Sequence, residues 1–455
     1  MKKSKISKPV SKNSRKPTTK EVLKKVLEKI QPSEKELKQT NEIVKDFNLK
    51  LENALKSLKL NAEVFVGGSL AKKTLIKKDR YDGDIFVRFE KKLESEKRKI
   101  KKHRKNPDRN ISWLTYQALS KIKGVEIKVV HGSRDYFQIQ ITPWLCLEII
   151  PVVKANNPKQ AENITDLSYH HVKYLAKKLK DKKIVQEILL AKAFCHAQKV
   201  YGAESYIRGF SGYSLELLVY CYKSFTKLLE AVSKLKKGDK LIVDIEKHYK
   251  NKNEIFLDLN ESKTKSPIIL IDPTYKQRNA LATLSQEVFD KFQEKACEFL
   301  KNPSESFFEK QEVNLSEIKL IADKRGFDFL LAEAETPKQE GDIAGSKLLK
   351  FFNHLAYEIQ KRFDIKDKGF EYLQNKNARY FFVVKSKKKI ILTGPLAKDS
   401  ENSARFKAEH KNAFIKSGRL FAEQEIPEKL REYLSVWKAK NKQKMSEMDI
   451  SDLRF

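Results

Sequence analysis

The sequence predicts a multidomain α/β (α+β) protein. Its 455 residues suffice for two to four domains. Apolar residues alternate between strand-like and helical patterns up to about residue 160, follow a helical period from about 165, and mix again after about 305. We therefore expect a disordered basic arm over residues 1–20, an α/β region over 21–160, called the head, a mainly helical region over 161–304, called the neck and central domain, and an α/β domain over 305–455, called the tail.

The elements of the head follow from capping and alternation. In order, we expect helices over 20–60, a strand over 64–68, a turn into a short helix, a strand over 84–89, a loop or exposed helix over 94–110, and one or two strands over 137–153. Ser33 and Glu36 form a capping-box pattern that opens a helix. A bend is expected near Pro143.

The later elements follow from the change of period. In order, we expect a helix over 181–202 that ends at Gly202, a helix over 211–235, short strands over 240–245, 254–259 and 267–273, a helix over 285–302, a strand over 326–335, a helix over 346–363, and a hairpin over 378–394.

The composition restricts the partners of the protein. Lysine and arginine number 94 against 60 acidic residues, which gives a formal charge of +34. This charge favours a nucleic acid or an anionic membrane surface as partner, although a lysine-rich proteome would produce the same excess. The basic residues are spread over the whole chain, so charge alone does not separate these alternatives.

Cysteine usage and hydropathy indicate a cytoplasmic protein. The four cysteines form no CxxC pair, so neither a zinc knuckle nor a redox motif is indicated. No apolar run approaches the roughly 20 residues that span a bilayer, and the basic N-terminus lacks the apolar core of a signal peptide. We therefore expect no membrane partner.

Two aspartates on one predicted strand carry the main chemical signal. Asp82 and Asp84 are two residues apart, so both carboxylates face the same side of the strand and repel each other unless a cation lies between them. Mg²⁺ is the expected cation because it prefers hard oxygen ligands and often also takes phosphate oxygens. Upstream, Gly67, Gly68 and Ser69 offer backbone N–H groups and a hydroxyl to an anion. A surface turn with two solvated aspartates is the alternative.

This arrangement resembles the nucleotidyltransferases related to polymerase β. The resemblance implies a head built from a mixed sheet flanked by helices. In those enzymes a third carboxylate on a neighbouring strand completes a two-metal site. The candidate here is Glu148 in "LCLEIIPVV", where the family usually has an aspartate and where an apolar strand makes an unpartnered charge costly. A partly exposed edge position is the alternative for Glu148.

Segments farther along resemble the archaeal, class I CCA-adding enzymes, which rebuild the CCA end of tRNA. The resemblance rests on "DLSYHHVKYL", "KVYGAESYIRGFSGY" and "LIDPTYKQRNALATLS", and more loosely on "LTGPLAKDSENSARFKAEHKNAF" in the tail. It runs from about residue 20 to 310. The long central motif separates this family from poly(A) polymerases, which share only the head chemistry.

The resemblance implies a nucleotide site built from the head and the neck. Ser69 matches a serine that contacts the triphosphate, Lys72 stands where the family often has arginine, and Arg278 matches an arginine that helps to select C and A. The implied nucleotide-binding residues are Gly68, Ser69, Lys72, Ser168, His171, Lys192, Tyr201 and Arg278. The structural alternatives are an N-cap for Ser168, a structural histidine at one of positions 170 and 171, a core position for Tyr201, and an ion pair with Asp272 for Arg278.

The implied reaction is attack of the tRNA 3′-hydroxyl on the α-phosphate of CTP or ATP, without a nucleic-acid template, and release of pyrophosphate. One Mg²⁺ would be held by Asp82, Asp84 and Glu148, and a second by the two aspartates. The rival functions are another RNA 3′-terminal transferase, of the poly(A) or uridylyl type, and a tRNA-binding protein with a degenerate head.

The tRNA should be held mainly through its phosphates and its A-form shape. The candidates for this contact are Arg208, Phe406, Lys407, Lys411, Arg419 and the lysine-rich segment 97–105. An ordinary solvated helix face is the alternative for the tail residues. Members of the family are often dimeric, so a homodimer is an open alternative.

Overall fold

The computed structural model describes residues 17–91, 108–132, 134–310, 312–387, 389–425 and 429–455. The chain divides into two compact units, one drawn from residues 1–129 and 133–311 and the other from residues 130–132 and 312–455. Most of the predicted basic arm and of the charged segment 94–110 lies outside the described residues.

A five-stranded mixed sheet forms the N-terminal part of the first unit. Its strands are β1 (Ala62–Val66), β2 (Tyr81–Phe89), β3 (Lys128–Val130), β4 (Tyr136–Thr142) and β5 (Leu145–Val153). Their order is β1-β2-β5-β4-β3, so β5 is the central strand. β2 runs parallel to β5, whereas β1 is antiparallel to β2 and β4 is antiparallel to β5. The predicted bend at Pro143 is confirmed as the turn between β4 and β5.

Within the described residues, four helices accompany this sheet. They are α1 (Thr19–Ile30), α2 (Glu34–Ser57), α3 (Gly68–Ala71) and α4 (Asp108–Leu119). The capping box is confirmed, because Ser33 N–H donates to Glu36 Oε2 at 2.7 Å and Glu36 N–H donates to Ser33 Oγ at 3.2 Å. α2 buries Phe47 and Leu51 in the same apolar core as the sheet. Thr19, which the sequence placed in the arm, is helical because Thr18 caps α1.

The rest of the first unit is mainly helical. Its helices are α5 (Ser168–Lys178), α6 (Lys182–Ala197), α7 (Gly212–Tyr222), α8 (Phe225–Ser233), α9 (Lys252–Asp258), α10 (Glu261–Thr264) and α11 (Gln286–Lys301). A small sheet of β6 (Leu241–Asp244), β7 (Ile268–Asp272) and β8 (Tyr275–Asn279) lies among them. Fully buried Phe194, Phe225 and Phe299 stand at the centre of the core that joins α6, α8 and α11.

Three predictions for this region are wrong. The single helix expected over 211–235 is interrupted, because Lys223 has a φ of +61° between the end of α7 and the start of α8. Residues 254–258 lie in helix α9 rather than in a strand, and Leu259 is its C-cap. Asn251 caps the start of the helix, and the buried residues are Ile255 and Leu259, four apart. α6 ends at Ala197 rather than at Gly202. Gly202 instead has a φ of +127° in the connection that follows.

The second unit contains two sheets. Its elements are α12 (Leu315–Lys324), β9 (Asp328–Glu335), α13 (Asp342–Gln360), β10 (Phe363–Tyr372), β11 (Asn377–Ser386), β12 (Lys389–Leu396), α14 (Ser400–Glu409), β13 (Ala413–Lys416), β14 (Arg419–Glu425), α15 (Leu430–Lys440), α16 (Lys442–Glu447) and β15 (Asp452–Arg454). The sheet orders are β10-β11-β9-β15 and β12-β14-β13. The predicted hairpin over 378–394 is therefore wrong, because β11 pairs with β9 and β10 whereas β12 pairs with β14.

Among the helices in the described ranges, none combines the length and the apolar character needed to cross a membrane.

Candidate active site

Three acidic residues lie on one face of the head sheet. Asp82 and Asp84 are two residues apart on β2, so their side chains share a face. The parallel register between β2 and β5 places Glu148 directly beside Asp84. Because β5 is the central strand, the alternative of an edge position for Glu148 is wrong. Asp82 is exposed, and the other two residues are half-buried.

Burial and mutual repulsion disfavour the ionised forms of Asp84 and Glu148. Burial raises the pKa of Asp84 to about 6, and the negative charge of Asp82 contributes to the shift. Burial raises the pKa of Glu148 to about 7, with a further contribution from Asp84. Gln138 on β4 donates from Nε2 to Glu148 Oε1 at 2.9 Å. A cation between the carboxylates would relieve this repulsion.

The donor atoms suit a hard divalent cation. Carboxylate oxygens from adjacent strands are the ligands that Mg²⁺ and similar ions prefer. Within the described ranges, no three acidic, histidine or cysteine side chains meet closely enough to hold a metal ion as they stand. The donor chemistry therefore fits a metal, and coordination requires the side chains to rotate toward a common point.

The glycine–serine turn packs directly against Asp84. Gly67 N–H donates to Asp84 O at 2.8 Å, and Thr74 N–H donates to Ser69 O at 2.9 Å. Gly68 has a φ of +56°, and an ideal Cβ on this residue would lie 1.6 Å from Asp84 Oδ2. Only glycine fits this position. The structure therefore brings Gly68 and Ser69 next to the carboxylates.

Two lysines expected to bind phosphate share one buried carboxylate. Lys72 Nζ lies 2.6 Å from Glu216 Oε2, and Lys192 Nζ lies 2.7 Å from Glu216 Oε1. Thr74 Oγ1 donates to Glu216 Oε1 at 2.6 Å and accepts from Lys192 Nζ at 2.9 Å. Burial would raise the pKa of Glu216, but the ammonium groups of Lys192 and Lys72 outweigh it and hold the pKa at about 2. Lysines therefore outnumber carboxylates in this cluster.

Sequence reasoning missed Glu216. This residue lies on α7 between Leu215 and Leu217, and all three are fully buried. A glutamate inside a continuous apolar stretch is a usable signal, because a buried carboxylate requires a positive or hydrogen-bonding partner. The same argument singled out Lys192, which is 3% exposed, but the sequence did not join the two residues.

Tyr201 packs against the same cluster. Its ring stacks on that of His196 with a centroid distance of 3.8 Å. A Cβ on Gly212 would lie 2.6 Å from Tyr201 Oη and 4.0 Å from Lys192 Cε. Burial raises the pKa of Tyr201, and the charges of Glu216 and Asp84 contribute. Tyr201 is therefore half-buried beside the candidate site rather than in a distant part of the core.

A second buried carboxylate, Asp272, holds His171 and Arg278. His171 Nε2 and Arg278 Nη1 lie 3.0 Å and 2.5 Å from Asp272 Oδ2. The ion pair considered as the alternative for Arg278 is thus present. Burial lowers the pKa of His171. His170 bonds instead to the backbone, with Nε2 2.7 Å from Ala155 O.

Ser168 does not cap α5. It is the first residue of the helix, and Leu167 occupies the N-cap position without a side-chain bond. The N-cap alternative for Ser168 is therefore wrong, because the chain enters α5 from a 3₁₀ turn at Ile164–Leu167 rather than from an extended segment.

Electrostatic coupling shows that the head and neck residues line one region. The charge of Lys72 acts to lower the pKa of both Asp84 and His171. The charge of Lys192 also acts on Asp84. Such coupling weakens with distance, so the carboxylates, the lysine cluster and the Asp272 cluster are near neighbours.

The residues expected to contact tRNA lie in both units. Arg208 is exposed at a φ of +57°, and its carbonyl accepts from Ser285 N–H at 3.0 Å. In the tail, Phe406 packs over Gly394, and Arg419 Nη1 donates to Gly394 O at 3.0 Å. Lys407 and Lys411 are exposed beside them. The lysine-rich segment 97–105 lies outside the described residues.

Comparisons with known proteins agree with this arrangement. A family model described as a nucleotidyltransferase domain matches residues 49–150. Another, described as tRNA nucleotidyltransferase, second domain, matches residues 186–309. Together the two models cover the carboxylates, the turn and most of the neck. Proteins with this kind of nucleotidyltransferase domain typically use a divalent metal.

Curated relatives extend the likeness. The chain is 30% identical over 357 residues to a CCA-adding enzyme of Methanocaldococcus jannaschii. The aligned segment covers 75% of this chain and 73% of that protein. The chain is also 41% identical over 208 residues to a CCA-adding enzyme of Nanoarchaeum equitans. That alignment covers 46% of this chain and 48% of that protein. The chain thus spans about half the length of the latter relative. Among solved structures, that of a cytoplasmic RNA terminal U-transferase is 17% identical in sequence, with a TM-score of 0.47. The match covers 65% of this chain and 99% of that chain. A structural similarity this low carries no argument about function.

Proposed function

Since the chain belongs to the family of archaeal CCA-adding enzymes, which are nucleotidyltransferases, we propose that it adds C, C and A to the 3′ end of tRNA from CTP and ATP. The observation that carries the proposal is the packing of Asp82, Asp84 and Glu148 on adjacent parallel strands against the Gly68–Ser69 turn. No nucleic-acid template is required, and pyrophosphate is the second product.

The proposed cofactor is Mg²⁺, held by Asp82, Asp84 and Glu148. When bound, it would lower the pKa of the attacking 3′-hydroxyl and stabilise the charge on the departing pyrophosphate. The protein contributes the positions of these carboxylates. Gln138 orients Glu148 from the neighbouring strand, and Gly67 fixes the backbone of Asp84.

The nucleotide is proposed to lie between the turn and the neck. Gly68 and Ser69 would contact the triphosphate through the backbone and a hydroxyl. The remaining proposed contacts are Lys72, Ser168, His171, Lys192 and Tyr201. The lysines would exchange part of their interaction with Glu216 for phosphate oxygens. Arg278 would donate hydrogen bonds to the edges that the bases C and A share.

The tRNA is proposed to bind through its phosphates and its shape. The proposed contacts are Arg208, Phe406, Lys407, Lys411 and Arg419. The formal charge of +34 supports a polyanionic partner. We propose a catalytic head at 21–160, a neck and central domain at 161–304, and a tail at 305–455. A homodimer and a cytoplasmic location stay predictions.

The test is single-nucleotide addition to a tRNA transcript that lacks its last three nucleotides. CTP and ATP are supplied singly and together with Mg²⁺, and products are resolved by length. Addition of two C and one A, lost in the Asp82→Ala/Asp84→Ala variant, is the expected result. Long tails of one nucleotide would instead support a poly(A) or uridylyl transferase. Salt-sensitive tRNA binding without addition would indicate a degenerate head.

A further inference from the structure

Asp272 is a fully buried carboxylate with an unusually complete set of hydrogen-bond donors. It is the last residue of β7 and is 0% exposed. Its donors are Tyr213 Oη at 3.0 Å, Thr274 N at 2.8 Å, Thr274 Oγ1 at 2.7 Å, His171 Nε2 at 3.0 Å and Arg278 Nη1 at 2.5 Å. Burial would raise the pKa of Asp272, but the hydrogen bond from His171 and the charge of Arg278 hold it well below its usual range.

The two carboxylate oxygens have different partners. Oδ1 accepts from Tyr213 and from the backbone and hydroxyl of Thr274, which fix the carboxylate in the turn after β7. Oδ2 accepts from His171 and Arg278. One oxygen therefore anchors Asp272, and the other directs two side chains from different elements.

His171 and Arg278 both lie against one aromatic ring, that of Tyr213. The imidazole of His171 stacks on Tyr213 with a centroid distance of 4.0 Å, and Arg278 Cζ lies 5.9 Å from the same ring. The side chains of His171 and Arg278 are 11% and 19% exposed. Each therefore keeps an accessible part although it is bonded to Asp272.

The bonding pattern sets what each side chain can offer to a ligand. Arg278 uses Nη1 for Asp272, and the ion pair does not require its other N–H groups. His171 donates from Nε2 to the carboxylate, which assigns the proton to this nitrogen and makes Nδ1 an acceptor in the neutral ring. Asp272 thus fixes the direction of one set of donors and the position of one acceptor.

We propose that Asp272 is a positioning residue for base selection, which fixes the Arg278 guanidinium and the His171 tautomer so that both meet the incoming nucleotide in one orientation. This proposal rests on the proposed function and names a residue that acts through Arg278 and His171 rather than touching the nucleotide. The preferred ligand class is a pyrimidine or purine ribonucleoside triphosphate whose base edge accepts from the guanidinium, as C and A would in the proposed reaction.

Asp272→Asn is the informative variant. An amide keeps the shape but has one acceptor oxygen and an NH₂ group, so it cannot accept from the Tyr213 and Thr274 side and from the His171 and Arg278 side together. With its oxygen toward Thr274, the NH₂ group would face Arg278 and donate to His171 Nε2, which moves the proton of the imidazole to Nδ1. Both proposed contacts with the nucleotide would then change.

The measurement is kcat/KM for addition of each of the four nucleoside triphosphates by the full chain. We expect Asp272→Asn to lower kcat/KM for CTP and ATP by about 10- to 100-fold, with UTP and GTP changed about threefold or less, so that discrimination falls. Arg278→Lys should lose discrimination similarly, and the double variant should be little worse than either single variant. A uniform loss for all four nucleotides, or additive losses in the double variant, would overturn the proposal.

Asp244→Asn is the matched control. Asp244 ends the parallel neighbour strand β6, and its Oδ2 accepts from Tyr249 N–H at 2.9 Å in the following turn. The Asp244→Asn variant should discriminate between the four nucleoside triphosphates as the parent chain does. If Asp272→Asn does not fold, Thr274→Ala is the substitute, because it removes one hydrogen-bond donor to Asp272 Oδ1. This variant should lower discrimination between the nucleotides about threefold. Unchanged discrimination would overturn the proposal. A parent chain that adds no nucleotide would refute the proposed function itself, whereas CCA addition with unaltered selectivity in the variants would refute only the role of Asp272.

Discussion

The carboxylate of Asp84 occupies the space in which a side chain on Gly68 would lie. An ideal Cβ on Gly68 would be 1.6 Å from Asp84 Oδ2, and the φ of Gly68 is +56°. The same turn is joined to β2 by the bond from Gly67 N–H to Asp84 O at 2.8 Å. The turn and the proposed metal ligand therefore form one packed unit.

The first prediction concerns Gly68→Ala. The added methyl group would displace the Asp84 carboxylate, and we expect kcat/KM for CTP addition to fall about 100-fold or more, because small displacements of reacting groups have effects of this size. Gly124→Ala is the control, since Gly124 also has a positive φ, +76°, but nothing lies within 4 Å of its Cβ. Equal losses in both variants would assign the effect to backbone strain and contradict the prediction.

The second prediction concerns the stability supplied by Glu216. Glu216→Gln leaves Lys72 and Lys192 without their shared carboxylate, at side-chain exposures of 8% and 3%. We expect the free energy of unfolding at pH 7 to fall by about 3 to 5 kcal/mol, as when one partner of a buried ion pair is removed. Urea unfolding measures the change, and Glu230→Gln at an exposed position of α8 should have little effect.

This stabilisation should depend on pH in a defined direction. The folded-state pKa of Glu216 is about 2, below the ordinary value of 4.5, so the folded state releases this proton more readily than the unfolded state. The contribution is complete above about pH 4.5 and is lost as the pH falls toward 2. The difference between the parent and Glu216→Gln should therefore shrink below pH 4.5. A difference that grows with acid would contradict the ion-pair account.

The third prediction concerns Mg²⁺ and pH. The folded-state pKa values of Asp84 and Glu148, about 6 and about 7, lie above the ordinary values of 3.8 and 4.5. Stability should fall as the pH rises through this window, because burial and, to a smaller extent, mutual repulsion disfavour the ionised carboxylates in the folded state. Bound Mg²⁺ would cancel this repulsion, so the increase in Tm on adding Mg²⁺ should be larger at pH 8 than at pH 5.

Two variants test the origin of that Mg²⁺ effect. Asp84→Asn should remove most of the Mg²⁺-dependent increase in Tm, whereas Asp323→Asn, at an exposed position of α12, should retain it. Thermal unfolding of both variants with and without Mg²⁺ gives the comparison. An increase that persists in Asp84→Asn would place the bound ion elsewhere.

The fourth prediction concerns the tail. Replacing Lys407 and Lys411 by glutamine should weaken tRNA binding and reduce the slope of log K against log salt by about 1 to 2, if each lysine neutralises one phosphate. Binding titrations over a range of salt concentrations measure this slope. The matched control replaces Lys319 and Lys324, both exposed on α12, and should leave the slope unchanged.

Local sequence signals were sufficient for several elements of the site. The spacing of Asp82 and Asp84 predicted a shared face because side chains on a strand alternate. The register of β2 with β5 places Glu148, the third carboxylate that the family resemblance implied, beside Asp84. The expected class, a nucleotidyltransferase of the archaeal CCA-adding family, is confirmed by the comparisons. These features depend on residues close together in the chain or on motifs long enough to be specific.

Where local patterns were ambiguous, the tertiary structure decided. Residues 254–259 suit a strand by composition, yet the burial of Ile255 and Leu259 beneath the β6-β7-β8 sheet selects a helix. The sequence also suggested that β11 and β12 form a hairpin, but β11 pairs with β9 and β12 pairs with β14. Such short segments take the conformation that their packing partners require.

The sequence alone determined the fold class and the pair of aspartates, because these follow from periodicity and local spacing, and the family resemblance of its motifs indicated the other candidate ligands. Only the tertiary structure decided which charges meet. Lys72 and Glu216 are 144 residues apart in the chain, and His171 and Asp272 are 101 apart. The residues next to each charge in the chain do not identify its partner. A buried charge requires a partner, but the local sequence does not show which residue that is. The folding of the head against the neck supplies the first pair, and packing within the neck and central domain supplies the second.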